Sequence, residues 1–477
     1  MRRWLLVTLI CVGVILLAMS VTMAVIWAPK ASRGITPRDA GATDEPARTS
    51  DHPETPTGPS GKAKAATAAV SPPAVNSMIA KWLRGDGTAE HVAPRDRWPV
   101  TSAYKAHTVL LSPSLGVERT PLGAGGEPRA PGDEFGYSVD ASAGVLCVGS
   151  PGHMQGAGRV SLFLGGSPDS PLTYVCATNA PHGAGPRFGR GVKVTYGGRQ
   201  VLVQSERDTH AYTVDGQEMV GAGTLQGLGR NVELLCAGPD GTLWVRHHGE
   251  GTMSVWERGG GGAWAERSRH HVDAMDVVYE PGSRHVWIAS HQGLLHWSRD
   301  EGGDWSENAR WMEGDELTSV TPFSPQSGPH AGVDYLFVGA AQHDTGRLVS
   351  AINPHRSVDL VEVPGGQVKG DGVLFGNGAL WVEATHSLLV SAPLDRSTAD
   401  YSHVGGVFVY GLAHDSRLVP QALLRPEVQP GNGGMYGAGM VLIGQGQVVL
   451  SNPAADQGAG EVEWVKLSLT TSNSANT

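Results

Sequence analysis

From about residue 130 the chain repeats itself, and that repetition limits its fold more than any other feature. Phe135-Gly136 leads to Val145-Leu146-Cys147-Val148-Gly149-Ser150-Pro151, then Gly158-Arg159-Val160-Ser161-Leu162-Phe163. Phe375-Gly376 leads to Leu388-Leu389-Val390-Ser391-Ala392-Pro393, then Gly406-Val407-Phe408-Val409-Tyr410. Tyr436-Gly437 leads to Val448-Val449-Leu450-Ser451-Asn452-Pro453, then Gly460-Glu461-Val462-Glu463-Trp464. Phe188-Gly189 with Val201-Leu202-Val203, and Leu336-Phe337-Val338-Gly339-Ala340 with Gly346-Arg347-Leu348-Val349, are looser copies. Repeats of roughly 40–60 residues made of short strands bury their faces by stacking on neighbours, and closing the stack into a ring removes its edges. The expected fold is therefore an all-β, seven-bladed β-propeller, its blades starting near residues 135, 188, 228, 272, 317, 375 and 436.

Each part of the repeat has a physical reading. The aromatic of the Phe/Tyr-Gly pair can fill the space between neighbouring sheets, and its Gly permits a turn that other residues would strain. The Val/Leu run reads as a strand buried on both faces. The following Pro stops it, having no N–H for a ladder. Glycine, 66 of 477 residues, suits many strands joined by tight turns. The middle of the chain carries a second matched pair. Trp244, His248, Trp256 and Trp264 recur as Trp287, His291, Trp297 and Trp305. The spacing from Trp256 to Trp297, and from Trp264 to Trp305, is 41 residues, which is one blade.

The first pattern resembles the FG-GAP repeat, the blade unit of the integrin α-subunit propeller, over roughly residues 130–470. The second copy of the middle pair, Ser298-Arg299-Asp300-Glu301-Gly302-Gly303-Asp304-Trp305, looks like an Asp-box, the hairpin turn of sialidase-like propellers. The FG-GAP resemblance implies an extracellular binding or adhesion role, and loops that in integrins often hold Ca²⁺. A hard cation needs about six to eight oxygens. The corresponding loops here, Gly152–Gly158, Leu394–Gly405 and Ala454–Gly460, lack alternating carboxylates, and Asp395 and Asp400 are their nearest approach. No Ca²⁺, and no other cofactor, is expected.

Before the repeats, residues 4–28 form an apolar run with no charged side chain. About 20 such residues span a bilayer core, and the run is longer than a signal-peptide core. It reads as an uncleaved transmembrane anchor, with residues 1–3 cytoplasmic and the remainder outside. The alternative is a cleaved signal peptide. Residues 29–94, rich in Pro, Ala and Thr, read as a disordered stalk, residues 95–470 as the propeller and residues 471–477 as a polar tail. Arg84-Gly85-Asp86, the tripeptide integrins read in adhesion ligands, falls in the stalk. Three common residue types arise together by chance, so it is read as accidental. Ala103–Leu111 is an orphan apolar run, expected to complete the last blade beside Glu461–Leu469.

No residue stands out as catalytic. A net charge of −10 excludes a general nucleic-acid footprint. Cys147, Cys176 and Cys236 lie in apolar strand-like runs and read as buried small hydrophobes. The histidines cluster at His247, His248, His270, His271, His285, His291 and His296. His248 and His291 share a repeat position, so a blade role is preferred there to metal ligation. The expected function is a membrane-anchored module binding a protein or glycan. The alternatives are a glycan hydrolase or lyase using the central face of the propeller, and a scaffold for a membrane complex.

Overall fold

The computed structural model describes residues 108–469, apart from residues 111, 113, 124–128, 166–171, 196, 260–261, 281–282, 355–356, 363–372, 395–404, 427–433 and 445. The proposed anchor, the stalk with Arg84-Gly85-Asp86, the terminal tail, and Asp395 and Asp400 lie outside the described residues. Among the described residues no helix is long and apolar enough to cross a membrane.

The described residues form seven antiparallel sheets. They span residues 138–179, 191–224, 232–270, 274–311, 319–362, 379–424 and 440–469, here blades 1 to 7. Each begins two to four residues after the start expected from the repeat. Every innermost strand contacts the next, and that of blade 7 contacts that of blade 1, so the ring is closed. Blade-to-blade connections and the turns between second and third strands emerge on one face, called upper here. The other turns emerge on the lower face.

The apolar periodicity fills the gaps between blades. Phe135 packs between blades 7 and 1, Phe188 between 1 and 2, Phe375 between 5 and 6, and Tyr436 between 6 and 7. All four are buried. Trp256 lies between blades 2 and 3, Trp244, Trp297 and Trp305 between 3 and 4, and Trp287 between 4 and 5. Trp264 is half-exposed on the outer strand of blade 3. Pro151, Pro393 and Pro453 are buried where their strands end.

The repeat also couples neighbours in a way its spacing does not disclose. Gly158, Gly405 and Gly460 form parallel bridges to Phe188, Tyr436 and Phe135 of the following blade. All three glycines have positive φ, and a Cβ at any of them would sit on the backbone of that aromatic. Gly136, Gly189, Gly376 and Gly437 also have positive φ, the turn expected of them. Only glycine meets both demands cheaply.

The closing strand is not the one expected. Leu115–Pro121 pairs with Glu461–Leu469 over seven residues and completes blade 7. Thr108–Leu110 pairs instead with Leu418–Leu424, as a fifth strand of blade 6. The closing strand alternates as a half-buried strand should. Leu115 is buried and Val117 packs on the core between blades 6 and 7. The next inward position holds Arg119, which broke the apolar pattern. Its Nε donates to Glu463 Oε2 at 3.0 Å, its Nη2 donates to the Tyr436 hydroxyl at 3.1 Å, and its Nη1 donates to the Arg425 carbonyl at 2.6 Å. Tyr436 in turn donates to Glu463 Oε2 at 2.8 Å. The three side chains form a buried clasp across the closure.

Polar side chains on the innermost strands bond the next blade. Asp140 Oδ2 accepts the Val194 N–H at 2.6 Å, Asp276 Oδ2 accepts the Val320 N–H at 3.1 Å, and Thr321 donates to the Ala379 carbonyl at 2.9 Å. Burial pushes both carboxyls above the usual range. The Val194 N–H and the Lys193 charge oppose the shift at Asp140, and the Val320 N–H and the same Lys193 oppose it at Asp276. A raised native pKa means that the ionised form penalises folding, and the penalty is full above that pKa. Asp276→Asn keeps a carbonyl acceptor for Val320. It should raise the melting temperature at pH 7, the gain shrinking below the raised pKa and vanishing below that of an ordinary aspartate. Melting curves of both proteins from pH 3 to pH 8 check this.

Candidate functional site

The upper face carries the strongest grouping of functional side chains. Residues flanking each Phe/Tyr-Gly pair lie where the chain enters an innermost strand, so they surround the ring's upper mouth. In blades 1 and 2 these are Glu134, Tyr137, Arg187 and Arg190; in blades 6 and 7 they are Leu374, Asn377, Met435 and Ala438. The mouth is accordingly two-toned.

The charged arc runs across blades 1 to 4. Arg187 Nη2 donates to Glu134 Oε2 at 2.8 Å, and its guanidinium lies 5.2 Å from the Tyr137 ring centre. Arg190 Nη2 donates to the Val232 carbonyl at 2.7 Å. Arg246 Nε donates to Asp273 Oδ1 at 2.8 Å, with Glu233 3.9 Å away. His248 stands 3.4 Å from Glu233 and His291 stands 3.7 Å from Asp273. The shared repeat position of the two histidines thus gives each a carboxylate neighbour. Burial lowers the pKa of Arg190 and of His248, the latter against the pull of Glu233. Burial raises that of Tyr137, against the Arg187 charge.

The apolar arc completes the mouth. Leu374, Met435, Ala341 and Ala454 are buried together, with Met275 of blade 4 packed against them. The second-to-third-strand turn of blade 7 borders it through Ala454, and that of blade 1 borders the charged arc, where the Gly156 carbonyl accepts the Arg187 N–H. Each contains two consecutive non-glycine residues at positive φ, Met154-Gln155 and Asp456-Gln457. Met154 is 62 % exposed.

The arc contains three arginines, a tyrosine and carboxylates, the residue types a sialidase-like site needs. Two of the arginines face an internal carboxylate and Arg190 donates to a backbone carbonyl, so no arginine triad stands open to a substrate carboxylate. The Tyr436–Glu463 pair is buried in the clasp and bonded to Arg119. The Asp-box-like turn lies on the lower face. There Asp300 Oδ1 accepts the Asp304 N–H at 2.8 Å, and Trp305 is buried against Trp244 with ring centres 4.9 Å apart. Its role there is that of a hairpin turn. Loops Gly152–Gly158 and Ala454–Gly460 bring one carboxylate between them, Asp456.

Cys147, Cys176 and Cys236 are free thiols. Burial pushes all three up, Cys236 to about 12, which makes them poor nucleophiles. Among the described residues one group has the donors for a metal: Glu280, His285 and His296, on the lower side of blade 4.

No protein-family model matches the chain, and no curated protein matches it. Solved structures similar to it include a catalytically inactive virginiamycin B lyase from Staphylococcus aureus with quinupristin. That structure is 10% identical, with TM-score 0.47, covering 74% of this chain and 99% of the other. Sqt1 from Saccharomyces cerevisiae is 11% identical, with TM-score 0.48, covering 72% and 98%. The WD40 domain of Toxoplasma gondii coronin is 10% identical, with TM-score 0.45, covering 76% and 88%. These likenesses carry no argument about function, and the propeller assignment rests on the sheet topology.

Proposed function

We propose that this chain is a membrane-anchored propeller of FG-GAP type that binds a protein partner, outside the cytoplasm, at its upper mouth. The observation that carries the reading is the two-toned mouth, a part-exposed charged arc beside an apolar one, held at strand ends of a closed ring. Rigid strand ends present side chains at little ordering cost. The apolar arc is itself buried and stiffens the mouth, while Met154, 62 % exposed, sets an apolar side chain beside the part-exposed charges, a mixture found in protein interfaces. The uncharged run at residues 4–28 supports the anchoring. The internal pairing of the arginines favours binding over glycan hydrolysis.

Photo-crosslinking tests this. A photoreactive amino acid at Met154, on the mouth's rim, should yield one discrete adduct in native membranes. The same group at Val220, on the outer strand of blade 2 and 50 % exposed, should yield none. Equal adducts at both positions, or none at Met154, would contradict the proposal.

A further inference from the structure

We infer that Glu280, His285 and His296 form a binding site for a divalent metal ion of the Zn²⁺ type, on the lower side of blade 4 facing blade 5. Glu280 begins the turn that follows the innermost strand, His285 opens the second strand and His296 lies on the third. Their ligand atoms all lie within 4.8 Å of one another. Two imidazoles and a carboxylate, with a water completing a tetrahedron, are a common zinc set.

The two imidazoles have no other evident task. His285 Nδ1 and His296 Nε2 are shielded from solvent and have no hydrogen-bond partner. A buried polar atom left unpaired costs free energy, and such atoms call for an explanation. Ser283 Oγ donates to Glu280 Oε2 at 3.0 Å and accepts the His285 backbone N–H at 3.0 Å. That bridge holds the carboxylate beside the imidazole, as an outer-shell partner orients a ligand.

The repeat supplies an internal control. Aligning Trp244 with Trp287 and Trp256 with Trp297 places Thr242 and Val255 of blade 3 at the positions of His285 and His296, and the strand register places Gly238 at that of Glu280, across a turn one residue shorter. The Gly238 N–H donates to the Thr242 carbonyl as the Glu280 N–H donates to the His285 carbonyl. Blade 3 therefore closes the corresponding turn without ligands. There the space is filled by Tyr279, whose hydroxyl accepts the Trp244 indole N–H at 3.1 Å. In blade 4 the rings of His285 and His296 stack at 4.9 Å between centres, and His296 stacks on Trp287 at 4.3 Å. Tetrahedral zinc sets about 3.4 Å between ligand atoms. Binding thus draws the side chains together, and the stacking of His296 on Trp287 lets tryptophan emission report it.

The test is a titration of the full-length protein, in mild detergent, with ZnCl₂ at neutral pH. Tryptophan emission and the melting temperature are read for the wild type and for Glu280→Gln, His285→Thr and His296→Val. The last two install the residues blade 3 carries, so the fold is kept, and Glu280→Gln is isosteric. The wild type should show a saturable emission change and a raised melting temperature. Each variant should weaken both by at least the roughly 10–100-fold that loss of an outer-shell partner costs. His414→Ala, at an exposed histidine outside both sites, should leave both unchanged. A wild type without a saturable response, or variants that respond like it, would overturn the site.

Discussion

Replacing Leu115–Pro121 with a Gly/Ser linker of equal length should abolish the cooperative melting of the entire ring. Three losses coincide. The Glu461–Leu469 strand becomes an open edge across all seven paired residues. Leu115, 2 % exposed, leaves the core between blades 6 and 7. The clasp loses Arg119, leaving Glu463 and Tyr436 buried without their cation. Removing one partner of a buried ion pair alone costs about 3–5 kcal/mol. That is a large part of the roughly 5–15 kcal/mol that holds a typical protein folded. Because each blade buries its faces only on its neighbours, an open ring exposes both faces at the break. Calorimetry should show a broad, weak transition in place of one sharp peak. Replacing only Thr108–Leu110, an added edge strand of blade 6, should leave a single cooperative transition.

Phe375→Ala should destabilise the protein by about 3–5 kcal/mol, the usual range for a buried Phe. The side chain is fully buried and meets Phe408 and Tyr410 edge-on, with ring centres 5.5 and 6.5 Å apart. The site cannot collapse to fill the hole. The Gly376 carbonyl accepts from the Ser319 hydroxyl at 2.9 Å and the Thr318 hydroxyl at 3.2 Å, which holds the backbone carrying residue 375 in place. Chemical denaturation gives the difference directly, and an unchanged midpoint would refute the inter-blade role of the Phe-Gly pair.

The ring was legible in the sequence because its strongest determinants are local and repeated. Phe135, Phe188, Phe375 and Tyr436 each precede a turn glycine and a buried strand, so spacing alone located their blades. The Trp256–Trp297 interval located blades 3 and 4 in the same way. The closure was misread for an equally local reason. Arg119 occupies an inward position of Leu115–Pro121, and a charged residue hides the alternation of a strand. The more apolar Ala103–Leu111 was the stronger pattern but pairs, through Thr108–Leu110, with blade 6. The upper mouth was not legible, because its charged arc joins residues of four blades, such as Arg246 with Asp273, with no common spacing. A signal did exist in the residues beside each Phe/Tyr-Gly pair, charged in blades 1 and 2 and largely apolar in blades 6 and 7. The group at Glu280, His285 and His296 was hidden within a histidine-rich stretch. Only the strand register separates His285 and His296 from His291, which lies on the opposite face.

The closed ring, fastened by a strand from before the first blade, is tested most directly by a zero-length cross-link. Glu118 and Lys466 are register partners in the closing pair. Directly opposed residues have Cβ atoms about 4.5–5.5 Å apart, within reach of an amide bond between their side chains. Carbodiimide treatment of the folded protein, followed by peptide mass spectrometry, should therefore yield a Glu118–Lys466 cross-link that disappears on prior unfolding. Lys105 joined instead to Glu461 or Glu463, or Lys466 joined to a carboxylate of blade 1, with no Glu118–Lys466 link, would contradict the closure described here.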